Sequence, residues 1–199
     1  MEQNIAATIL AGPLVRWRRL VLGIMLITVG GCQRMPSGVF EIDTSGREGL
    51  TQEIVIDNGW SVVDERDQVE AVLVSQAAGE GGDEQILVLR TFWRTRAARS
   101  PDAQAATNAN VEYLVRQNGR TGWYRGAGYL QAKGLNDEGA VRLKLHSSQV
   151  RLYAADEGFA PPFTDANLRG STETQGDPAE FTRALEQFRA RTGTLGVRD

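Results

Sequence analysis

Val141-Arg142-Leu143-Lys144-Leu145-His146 alternates apolar and polar residues without a break. A period of two puts Val141, Leu143 and Leu145 on one face of an extended strand and Arg142, Lys144 and His146 on the other. The segment therefore predicts a strand with one buried and one wet face. On either side of it the pattern repeats as short apolar runs broken by turn signals. Ile54-Val55-Ile56 and Trp60 to Val63 flank Asn58-Gly59, and Val111 to Arg116 and Thr121 to Leu130 flank Asn118-Gly119. Asn-Gly suits a two-residue hairpin turn because both central residues take positive φ. Further turns are expected at 64–67, 79–83, 136–139 and Ser147-Ser148. Strands are expected at 69–76, 84–95, 140–146, 149–155 and 168–174, and 96–108 reads as a loop.

About eight short, turn-linked strands predict a mainly β fold, an antiparallel meander forming a sandwich or small barrel. The buried faces carry large residues such as Ile86, Val88, Leu143, Leu145 and Leu152, which predict a filled interior. Phe159-Ala160-Pro161-Pro162-Phe163 reads as a rigid loop packed over one end. The chain closes differently: Asp177, Pro178 and Glu180 have the spacing of N-cap, N1 and N3. Phe181, Ala184, Leu185 and Phe188 then share one helical face, and Gly193 ends the helix. The expected organisation is a leader at 1–31, a tether at 32–50 with one edge strand near Val39 to Ile42, a β domain at 51–175, a helix at 176–193 packed on that domain, and a tail at 194–199.

The 199 residues carry 22 basic and 25 acidic side chains, a net charge of −3, with 41% hydrophobic residues. That composition fits a packed core and a mildly acidic surface, and it argues against nucleic acid as a partner. One Cys and one His exclude an intrachain disulfide, a cysteine zinc cage and a multi-histidine metal site. No cofactor is expected.

The N-terminal region reads as an address. Arg16, Arg18 and Arg19 precede a charge-free run from Leu20 to Gly31. The run is too short for a spanning helix, which needs about 20 residues, but it has the length and polarity of a signal-peptide apolar region. It ends in Val29-Gly30-Gly31-Cys32. This stretch resembles the lipobox of bacterial lipoproteins, an aliphatic residue followed by small residues and then Cys. The resemblance implies lipidation of the Cys32 thiol, cleavage before Cys32 by signal peptidase II, and acylation of the new amino terminus. By the same resemblance Gln33, where Asp would favour inner-membrane retention, permits outer-membrane sorting in a host that has one. Loss of the leader takes 22 basic residues to 19 and 25 acidic to 24, a net of −5. Basic residues then contribute little to membrane attachment, and the anchor is the lipid.

Candidate chemistry is sparse. His146 beside Ser147 and Ser148 offers no triad, because neighbours on a strand face opposite ways, and no Gly-x-Ser-x-Gly elbow is present. The acidic pairs at 64–65, 83–84, 137–138 and 156–157 read as solvated turns. Trp123 to Tyr129 is glycine-rich but lacks a phosphate loop's Gly-Lys-Ser/Thr ending. By strand parity Arg90, Phe92, Arg94 and Arg96 share a face, followed by Arg99. Arg with interleaved aromatics can grip an anionic glycan or another envelope protein. Arg116, Arg120 and Arg125 form a second Arg-rich region beside Trp123 and Tyr124. No catalytic residue and no metal ligand emerges. The expected role is binding or assembly at the cell envelope, through a lipid-anchored β domain. Two alternatives stand beside it: a carrier of a small apolar ligand, lipocalin-like in outline only, and a hydrolase whose site is assembled across strands.

Overall fold

The computed structural model describes residues 38–44, 51–76, 83–93, 107–134 and 139–197. Its strands are β1 (Gly38–Thr44), β2 (Thr51–Ile56), β3 (Asn58–Val63), β4 (Val69–Gln76), β5 (Glu84–Thr91), β6 (Ala109–Gln117), β7 (Arg120–Gly134), β8 (Val141–Ala155) and β9 (Asp165–Thr174), followed by α1 (Pro178–Thr192) and β10 (Gly196–Val197). They form one antiparallel sheet in the order β2-β1-β9-β8-β7-β6-β5-β4-β3, with the short β10 on β8. Only Asp57 separates β2 from β3, so the two ends of the sheet are the halves of one bent run. The sheet therefore curls into a half-barrel around a single interior, and it is not a two-sheet sandwich. The Ser61 N–H donates to Gln175 O at 2.9 Å, and the Gln175 N–H donates to Gly59 O at 2.8 Å. The Ser61 and Thr174 hydroxyls, 2.7 Å apart, reinforce that seam.

Several expected elements occur as read. Asn118 and Gly119 have φ of 51° and 77° and join β6 to β7. The Asp64 carboxylate accepts from the Arg66 and Gln68 N–H groups and closes the 64–67 turn. Asp177 caps α1 by accepting from Ala179 N and Glu180 N, and Pro178 stands in the first turn.

Three local readings are corrected. Asn58-Gly59 makes no hairpin: β2 pairs with β1 and β3 with β4, so the chain runs on with a bend at Asp57. Ser147-Ser148 makes no turn: it is a bulge in the 15-residue β8, where the register to β9 shifts between Leu145 and Ser148. The strand at Val39 to Ile42 is not at an edge, because β1 lies between β2 and β9. Residues 77–82, 94–106 and 135–138 lie outside the described residues, as do the turn and loop expectations placed there.

Two apolar clusters hold the fold. One fills the interior, with Phe40, Ile42, Leu87, Leu89, Leu143 and Leu145 all buried. The other lies on the outer face, where Phe181, Ala184, Leu185 and Phe188 of α1 cover Val72, Val74, Ile86, Val88 and Leu114. Ile86 and Val88 are thus buried under the helix and not in the interior. This double covering explains the unbroken Ile86-Leu87-Val88-Leu89 run of β5, both of whose faces are dry. One end of the interior is plugged by aromatic side chains, as the 159–163 loop foreshadows. Phe163 lies 4.5 Å from Tyr124 and 6.4 Å from Tyr113, centroid to centroid, and the Tyr124 hydroxyl donates to Phe163 O. Gly122 admits the plug, since a Cβ there would fall 2.2 Å from Phe159 Cε1. Burial drives the Tyr113 hydroxyl above the ordinary tyrosine pKa, and it donates to Gln85 Oε1 at 2.6 Å.

Candidate functional site

The other end of the interior holds a cavity of about 160 Å³, lined by apolar parts of Val63, Val69, Trp93, Leu130, Ala132 and Val141. The strands place these residues at their terminal turns: Val63 ends β3, Val69 begins β4, Val141 begins β8, and Leu130 and Ala132 lie near the end of β7. Asn108 and Thr91 also line the cavity. Asn108 is fully buried because it completes a ladder. β6 pairs with β7 only as far as Ala109 opposite Gly128. Beyond that point the Asn108 amide donates to Leu130 O at 2.8 Å, and its oxygen accepts from the Leu130 N–H at 2.7 Å. The Thr91 hydroxyl accepts from Val69 N at 2.7 Å. The Trp93 indole N–H donates to Thr107 O at 3.2 Å. These polar groups serve the backbone; Asp67 also lines the cavity, and the rest of the wall is mainly apolar. Such a wall can take up a small apolar group by burial, and it aligns no nucleophile with a base.

The residues singled out from sequence fare unevenly. Arg90 sits on the outer face in an ion pair with Glu70, directly opposite a β4 partner. Phe92 follows the end of β5 and is exposed. The strand stops at Thr91, so the parity expected to carry the face onward does not extend beyond it. Arg94, Arg96 and Arg99 lie outside the described residues, as do Cys32, Val29, Gly30 and Gly31. In the second Arg-rich region Tyr124 turns inward and is buried. Arg125 stacks on two rings, 5.2 Å from the Trp123 centroid and 4.8 Å from that of Tyr153, and Arg120 donates to Gly158 O. Trp123 in turn donates to Glu112 Oε2 at 3.1 Å. Arg120 and Arg125 thus engage groups of the domain itself, while Arg116 is exposed.

The acidic pairs also divide. Asp64-Glu65 is a turn, and Asp156 accepts from the Thr121 N–H at 2.7 Å. Glu84 is no solvated turn residue. It is buried at the start of β5, where it pairs with Arg191 and accepts from Gln187 at 3.2 Å, tying the end of α1 to the sheet. Burial lowers the Arg191 pKa. Among the described residues no group of three or more His, Cys, Asp or Glu gathers as a metal site.

His146 lies mid-strand in β8, half-buried against the Tyr129 ring at 5.3 Å, with Nε2 3.3 Å from Gln131 Oε1. Burial first, and Lys144 second, lower its pKa below the ordinary 6.5. NMR titration should therefore find the midpoint of this single His below 6.5. The unfolded chain takes up that proton more readily than the folded one. The small stability contribution is complete above the unfolded pKa and is lost as pH falls from there through the lower folded pKa. A midpoint above that of an unstructured histidine peptide would contradict the packing around His146.

Sequence reading missed Asn108 and Trp93. The cavity draws on five strands and the segments beside them, so no local pattern marks it. The one available signal is an amide residue just ahead of the β6 apolar run, and such residues more often start loops. Comparison with family models, with curated proteins and with solved structures gives no match to this chain. The fold and the cavity are therefore read on their own terms: a curled antiparallel sheet with one plugged end, one hollow end and a helix on its outer face.

Proposed function

We propose that the chain is an exported bacterial lipoprotein, held at the cell envelope by lipid on Cys32, whose β domain has a non-catalytic binding or assembly role. The observation that carries this reading is the position of the sole cysteine. It stands directly after Val29-Gly30-Gly31, at the end of a charge-free run that follows Arg16, Arg18 and Arg19. Among the described residues no helix is long and apolar enough to cross a membrane. The non-catalytic part is supported by the spent hydrogen bonds of Thr91, Trp93 and Asn108 around the cavity. A carrier role is less well supported, because ligand pockets run to roughly 300–1,000 Å³ and this cavity is about 160 Å³.

Intact-mass analysis of the membrane fraction from the native host tests the reading. The mature protein should begin at Cys32 and carry added diacylglyceryl mass. An unmodified Cys32, or a start several residues away, would remove the anchor and leave an ordinary secreted β domain. Co-purification from solubilised envelope then asks which envelope protein or anionic glycan the domain engages.

A further inference from the structure

Strand pairing lays two rows of side chains next to each other on the outer face of β6 to β9. Glu112, Arg125, Arg151 and Asp165 are successive cross-strand partners and form the first row. Asn110, Ala127, Gln149 and Asn167 form the second. Their chain neighbours Val111, Tyr124, Val150 and Ala166 are buried in the interior, so both rows face outward. The rows lie two residues apart, about 7 Å along the strands. Both Arg residues and all four members of the second row are exposed.

The centre of the first row is a pair of like charges. Arg125 and Arg151 stand directly opposite each other, with Cα atoms about 4.5–5.5 Å apart. Like charges so placed weaken a sheet. Among the described residues neither is answered by an ion pair, whereas Arg90, Arg142 and Arg169 on the same sheet each have an acidic partner. The acids that end the row are engaged elsewhere: Glu112 accepts from the Trp123 indole and Asp165 from the Thr164 hydroxyl. The Arg125 guanidinium lies over the Trp123 and Tyr153 rings, at 5.2 and 4.8 Å, which positions it without using its N–H donors.

Two guanidiniums next to each other match a carboxylate. The amides of the second row offer donors and acceptors of the kind that sugar hydroxyls take, and Ala127 among them leaves room for a ring against the strand. Glu112 and Asp165 bracket the Arg pair. That bracket favours a single anionic group and opposes the closely spaced phosphates of a nucleic acid.

We propose that this face binds a glycan containing carboxylated sugars: Arg125 and Arg151 hold the carboxylate of one sugar, and Asn110, Gln149 and Asn167 hold its hydroxyls. The inference rests on the binding role proposed above, to which it adds a ligand class, and not on the lipid anchor.

Isothermal titration with trigalacturonate tests the site, on protein purified from its native host in neutral detergent. Wild type should bind saturably, and the fully methyl-esterified trisaccharide should not. Arg125→Gln and Arg151→Gln should each weaken binding about tenfold or more, and Gln149→Ala about threefold. Arg142→Gln, further along β8 in its own pair with Glu173, should bind as wild type does. Arg151→Gln relieves the like-charge contact, so its urea midpoint should be no lower than that of wild type, which separates lost binding from lost folding. Absence of saturable binding to wild type would overturn the site. So would binding undiminished in both Arg variants, or equal binding of the ester. Inorganic phosphate that displaces the trisaccharide at equal concentration would overturn the glycan and leave an anion site only. Titration that fails while an envelope partner still co-purifies would overturn this site and keep the binding role; failure of both would overturn the two together.

Discussion

Replacing Cys32 with Ser should leave the protein without lipid and the leader uncut at the lipobox. Both steps depend on the same thiol in the proposed scheme: it receives the diacylglyceryl group, and cleavage of the Gly31–Cys32 peptide bond follows on the modified residue. A serine hydroxyl offers the maturation enzymes no thiolate. The loss of membrane attachment should be large, since buried acyl chains contribute about 0.8 kcal/mol per CH₂ and stable anchoring takes two such signals. Little remains to replace them. The charge-free run from Leu20 to Gly31 is too short to span, and the uncut chain has a net charge of −3, with Arg16, Arg18 and Arg19 of the leader left to attract anionic headgroups. Fractionation and intact mass of Cys32→Ser should show an uncleaved precursor, weakly held or cut elsewhere. A variant that still begins at residue 32 and still sediments with membranes would refute the lipobox assignment.

The fold was legible wherever the signal was local, and the errors fall where a distant partner decided the outcome. The boundaries of β4 match the expected 69–76, because apolar continuity and the Asp64 turn both mark them. Asn118-Gly119 and Asn58-Gly59 carry the same two letters, yet only the first is a turn. The second makes no hairpin because β1 and β4 each take half of the 51–63 run, and pairing on both sides outweighs turn propensity. Ser147-Ser148 was misread because a bulge and a turn share small polar residues, and only the register across β8 and β9 distinguishes them. The cavity was not legible at all. Its walls come from residues 63 to 141, brought together by curling of the sheet, and Thr91, Trp93 and Asn108 among them hold backbone groups and advertise no chemistry. Glu84 was misjudged for a related reason: Arg191, more than a hundred residues away, makes its burial tolerable.

Truncation of Phe188 to Ala should cost about 3–5 kcal/mol of folding stability. Phe188 is 4% exposed and lies edge-on to Trp123 at 6.2 Å, with Leu185 and Phe181 beside it on the buried face of α1. Its removal leaves a void under a helix that cannot readily collapse. Asp177 fixes its start. Arg191 and Gln187 fix its last turn to Glu84. The void therefore persists, and the cavity adds to the lost transfer energy of the ring. Leu185→Ala should cost about 2–5 kcal/mol by the same argument. Glu186→Ala, on the exposed face of the same turn, should stay within about 0.5 kcal/mol of wild type. Urea denaturation of the three variants gives the comparison, with an unchanged m-value required for a stability reading. If Phe188→Ala and Glu186→Ala are equally mild, α1 contributes little to the folded domain. Val72, Val74, Ile86, Val88 and Leu114 would then be an apolar face that the helix only shields, available to a partner when it lifts.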